Sequence, residues 1–128
     1  MITVSQAGTA PARARRIIPL RADLPEALIW LARVCAGLVA YEWSDDLPAD
    51  IKEGMEAASR AIYLDGRDPY AHYAFAIASA YGRVPRQAVL AAEKAVALNP
   101  SFALGHLVLG LSCLFDGRAR VAVSRFIA

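Results

Sequence analysis

Apolar residues recur at helical spacing along most of the chain, and proline or glycine interrupts them where one helix should yield to the next. ADLPEA opens a first helix near Pro25, and SDDLPAD a second near Pro48 with Asp45 or Asp46 as cap. RDPYAH opens a third, with Asp68 as N-cap and Pro69 in the first helical position, where its missing N–H costs nothing. GRVPRQA opens a fourth at Pro85 after a turn at Gly82. NPSFA ends the fourth and opens a fifth with Ser101 as cap. FDGRAR turns at Gly117 and opens a sixth. The pattern predicts six helices over residues 24–43, 47–65, 68–81, 84–98, 101–115 and 118–128. Such short linkers force antiparallel neighbours. No segment alternates with period two between hairpin turns, so the expected class is all-α.

The pattern also repeats. EKAVALNPSFALGH at 93–106 echoes SRAIYLDGRDPYAH at 59–72. Ala61 aligns with Ala95, Leu64 with Leu98 and His72 with His106, and the same offset aligns Ala88 with Ala122 and Val89 with Val123. A period of this length is the signature of stacked helical hairpins.

The residues at these positions resemble the tetratricopeptide repeat family. Leu109 and Gly110 match its Leu-Gly pair, Gly117 its turn glycine, Ala122 a small residue early in the second helix and Phe126 the aromatic residue one turn later. One repeat earlier, Phe75 and Ala76 take the Leu-Gly positions, Ala88 and Ala95 the two alanines, and Pro100 the closing proline. Gly82 falls one residue before the family's turn glycine, so the middle turn is expected to be re-formed, and Gly66 replaces a closing proline. The resemblance implies a short right-handed solenoid: a degenerate repeat over 24–66 with an enlarged turn, a repeat over 67–100 and a truncated one over 101–128. Repeats of this kind are similar to helical regions of bacterial signalling proteins, including adenylate cyclase-like ones, which gives an alternative role as a regulatory segment of a larger protein.

Composition narrows the function. The 128 residues suffice for one domain, and at 57% hydrophobic and 20% charged they are not disordered by composition. The 27 alanines favour helices that pack closely. A net charge of +2 gives no case for nucleic acid. The apolar stretch at 27–43 is short for a membrane span and carries Arg33 at its centre, so a buried helix is expected, and no membrane partner. Residues 1–23 carry Arg13, Arg15, Arg16 and Arg21 without a following apolar run and read as a basic lead-in, irregular or disordered. Cys35 and Cys113 lie far apart without a CxxC spacing, as expected of reduced thiols in a cytoplasmic protein. The excess of arginine over lysine, with so much alanine, points to a GC-rich bacterial genome.

Candidate chemistry is sparse. His72 and His106 occupy equivalent repeat positions, about 10 Å apart by helix packing distances, which is too far to share one metal ion. Glu42, Asp45, Asp46 and Asp50 form the one acidic cluster, read mainly as a solvated loop with a helix cap. A small metal-dependent enzyme built on these acids or histidines is the second alternative. No enzyme motif is present, and no cofactor is expected.

The family resemblance instead assigns a groove to the inner face of the third and fifth helices. Its positions here are Tyr70, Tyr73, Ala74, Ile77 and Tyr81, then Leu104, Leu107, Val108, Leu111 and Phe115. Lys, Arg and Asn of the carboxylate clamp are absent from them. The expected function is therefore non-catalytic binding of an apolar peptide or helix, or of the chain itself. Alternatively the groove is already filled, by the lead-in, the first helix or a second copy of the chain. Apolar residues of RFIA at the end of the sixth helix are expected to be covered either by further repeats of a longer array or by another subunit, which adds to the expectation of a homodimer.

Overall fold

A computed structural model describes residues 24–117. It contains five helices: α1 (Pro25–Ala40), α2 (Leu47–Leu64), α3 (Pro69–Tyr81), α4 (Pro85–Leu98) and α5 (Ala103–Phe115). No strand occurs among the described residues. The expected sixth helix, with Ala122, Val123 and Phe126, and the lead-in at 1–23 lie outside them.

Proline marks the helix starts as the sequence reading expects. Pro25, Pro69 and Pro85 are first helical residues, and Pro48 is the second residue of α2. Asp46 caps α2 by accepting from the Ala49 N–H at 3.2 Å, and Asp68 caps α3 by accepting from the Tyr70 N–H at 2.9 Å. Ser101 caps nothing: α5 starts two residues later, and the Ser101 hydroxyl donates to Asn99 Oδ1 at 3.2 Å. Phe102 holds the N-cap position instead and gives no side-chain bond to the helix.

Each helix packs on its neighbours in sequence, and the odd helices also pack on one another, α1 on α3 and α3 on α5. The backbones of α2 and α4 do not approach each other closely. α3 is therefore the central helix, in contact with all four others. Small side chains set the spacing. Gly54, Ala57, Ala58 and Ala61 of α2 are buried, and so are Ala88, Ala91, Ala92 and Ala95, their equivalents in the next hairpin.

The backbone repeats with the sequence. Asp65 Oδ1 accepts from the Arg67 N–H at 3.1 Å, and Asn99 Oδ1 from the Ser101 N–H at 3.3 Å. His72 Nε2 donates to the Gly66 carbonyl at 3.0 Å, and His106 Nε2 to the Pro100 carbonyl at 2.7 Å. Carbonyl oxygens only accept, so both rings carry their proton on Nε2. Each histidine thus ties the first turn of its helix to the loop before it. The first hairpin differs by its insertion. α2 has 18 residues against 14 in α4, and the loop at 41–46 is longer than that at 82–84.

The ends of α1, α3 and α5 share one turn. The second residue past each helix has positive φ: Glu42 at 59°, Arg83 at 66° and Gly117 at 78°. Its N–H reaches back to the carbonyl three residues earlier, at Val39, Ala80 and Leu114 respectively. This corrects the expectation of a re-formed middle turn. The turn keeps its register, Arg83 stands in the left-handed place that Gly117 takes one repeat later, and Gly82 has an ordinary φ of −78°. Gly82 serves packing, since a Cβ there would lie 2.9 Å from Cγ2 of Ile51. A left-handed L-residue costs roughly 1–2 kcal/mol, and glycine gives part of that back through the unfolded chain. Arg83→Gly is therefore expected to stabilise the fold by about 0.5–1 kcal/mol, read as a higher denaturation midpoint at unchanged m-value.

A second local fault lies in the core. Ser112 Oγ donates to the Val108 carbonyl at 2.7 Å, which satisfies its buried hydroxyl. Ser79 is equally buried on α3, and its Oγ has no partner among the described residues. An unmet buried hydroxyl costs about 1–3 kcal/mol. Ser79→Ala is accordingly expected to raise the thermal midpoint, whereas Ser112→Ala should lower or barely move it.

Candidate functional site

The acidic cluster does not converge. Asp46 is spent on its cap, and Asp50 is buried at the start of α2, where Ser44 Oγ donates to its Oδ2. Among the described residues no group of three His, Cys, Asp or Glu side chains gathers around a possible ion. Both histidines are engaged with loop carbonyls. Cys35 and Cys113 are both buried, and the Cys35 thiol donates to Glu53 Oε1 at 3.8 Å. No described helix is long and apolar enough to cross a membrane.

The groove residues divide into two sets. Tyr73 and Val108 are core residues, 5% and 2% exposed, and Ala74 is fully buried. Of the fillers considered for the groove, the first helix reaches Ala74 and Tyr73, whereas Val108 is buried against α3 and α4 in the second core cluster. Ala74 belongs to the core cluster that α1 builds with Leu28, Leu31 and Ala32. The Arg33 guanidinium lies 5.8 Å from the Tyr73 ring and 5.0 Å from that of Trp30. Trp30 and Arg33 were not among the sequence candidates. Their spacing of three along a helix is the signal that would have paired them.

The remaining candidates stay at the surface or near it. Tyr70 is exposed and meets the Phe102 ring at a tilt of 58°, with centroids 4.8 Å apart. Ile77, Leu104 and Leu111 are half-buried against the second core cluster or beside it. Tyr81, also half-buried, meets Phe115 edge-on at 5.8 Å. On α5, Leu107 is 54% exposed, Leu114 46% and Phe115 47%. Leu114 was not singled out from the sequence, although it continues the spacing of Leu104, Leu107 and Leu111.

At the turn end of the odd helices lies an open pocket of about 690 Å³. Val39, Leu47, Tyr81 and Phe115 give it apolar walls, and Glu42 and Arg83, the two strained turn residues, stand at its edge. Apolar walls with flanking charges suit burial of a partner's side chain, and the Ser44 hydroxyl, which donates to Asp50, also lines the space. No protein-family model, no curated protein and no solved structure matches this chain.

Proposed function

We propose that the chain is a non-catalytic protein–protein interaction module, a short tetratricopeptide-like solenoid that takes a helix or apolar segment of a protein partner on the face of α5. The two equivalent loops, each tied by its histidine to the helix that follows, support the repeat reading. One observation carries the functional reading. α5 has no Asp, Glu, Lys or Arg, yet Leu107, Leu114 and Phe115 are about half exposed on it. A helix that is apolar all round belongs in an interior, and a contiguous exposed apolar patch marks an interaction site. The bacterial cytoplasm is the proposed setting.

A photo-crosslinking amino acid at Leu107 or Leu114, introduced in the producing cell, tests this. The reading expects discrete protein adducts from both positions and none from Lys52, an exposed residue of α2. Adducts absent from α5, or equally abundant from Lys52, would remove the surface from consideration.

A further inference from the structure

We infer that the occupant of the α5 face is α5 of a second copy of this chain, related by a two-fold axis. The inference rests on the interaction reading above and names its partner. The internal repeat supplies the comparison. α3 is the other helix without a charged residue, and it is covered by all four remaining helices. α5 has the same uncharged composition but packs only on α3 and α4 among the described helices. The positions of Leu107 and Leu111 correspond, one repeat earlier, to Tyr73 and Ile77. Tyr73 is buried there against Phe102, and Ile77 packs on the cluster to which α5 contributes Val108, Leu109 and Cys113. The face that α5 covers on α3 is thus left open on α5 by the described residues, and what fits it is a helix of α5's own kind.

Charge chooses between the ways two copies can meet. Leu104, Leu107, Leu111 and Leu114 follow a spacing of three and four, the seam of a helix pair. In a head-to-tail contact this seam would meet the exposed face of α1, which carries Glu26 and Arg33 beside Trp30. That contact desolvates two charges against leucine and pairs neither. A two-fold contact sets leucine against leucine, is self-complementary, and closes at two chains instead of growing into a filament. α5 spans about 20 Å, so the interface falls at the small end of specific ones and the dimer is reversible.

Light scattering on the full chain across a concentration series tests this. The expected mass rises from 13.7 kDa toward twice that value. Leu107→Glu and, separately, Leu114→Glu hold it at one chain, with far-ultraviolet circular dichroism unchanged and a thermal midpoint equal to that of the dilute natural chain. Leu90→Glu, at an exposed leucine of α4, leaves the dimer intact. A single-chain mass at every concentration, a dimer indifferent to both α5 variants, or growth beyond two chains would overturn the inference. A monomer that still gives foreign adducts from Leu107 keeps the interaction reading and loses this one, whereas a monomer with no adducts loses both.

Discussion

Gly54→Leu is expected to leave the chain largely unfolded under conditions where the natural sequence is native. Gly54 lies in the middle of α2, where glycine costs about 1 kcal/mol of helix propensity relative to alanine, so packing must be what the position serves. A Cβ at this site would stand 2.9 Å from the Cβ of Cys35 and 3.6 Å from the Ala32 carbonyl oxygen, both on α1. Alanine alone would force the helices apart, and overpacking of this kind typically costs about 1–3 kcal/mol. That range exceeds the propensity gained, so even Gly54→Ala should lose stability. Leucine adds three more carbons to the same gap, and its loss is a large part of the roughly 5–15 kcal/mol that holds a small domain together. Cys35→Gly removes the opposing Cβ. The pair Gly54→Ala with Cys35→Gly should therefore be less destabilised than the sum of its singles, which a double-mutant cycle in denaturant would read directly.

Phe102→Ala has the second largest expected effect, about 3–5 kcal/mol. Phe102 occupies the N-cap of α5, a position where α3 uses Asp68 to satisfy a helix N–H. The capping bond it forgoes is worth about 1 kcal/mol. In exchange its ring is buried between Tyr70, at 4.8 Å, and Tyr73, at 5.9 Å, and burial of a phenylalanine returns about 1.5–3 kcal/mol before the aromatic contacts are counted. The ring also fills the space beside Gly105, where a Cβ would meet Phe102 Cδ2 at 2.9 Å. Phe102→Asp should recover the cap and still unfold at markedly lower denaturant than the natural chain. A Phe102→Asp variant as stable as the original would show that the cap outweighs the ring.

The elements themselves were legible because their punctuation is local. Proline at a first or second helical position and Asp46 and Asp68 as caps are one-residue signals, and they fell where the helices begin. The repeat offset was legible for the same reason, since both loops use an Asx side chain and a histidine at fixed distances from each other. Two local features were not legible. Ser101 looks like a cap, but burial of Phe102 next to it moves the helix start. Glycine at 82 looks like the turn residue, but the left-handed place goes to Arg83, because the turn is fixed by hydrogen bonds back to the helix rather than by the most permissive residue nearby.

The candidate surface was read with one systematic error. The family resemblance places Tyr73, Leu107 and Val108 along one groove, but it cannot tell how much of that groove a neighbouring helix already covers. α1 and α5 close over α3, so Tyr73 is core, while the same position on α5, Leu107, is open. The pocket at the turn end arises from the enlarged loop after α1, whose path no spacing rule gives.

The exposed seam of α5 is most directly tested by methyl nuclear magnetic resonance with a soluble paramagnetic agent, recorded on dilute and on concentrated protein. Leu107 and Leu114 methyls should broaden strongly when dilute and be shielded when concentrated. Leu90, 62% exposed on α4, should broaden equally in both. Leu107 and Leu114 methyls that broaden alike at both concentrations, in step with Leu90, would contradict the account.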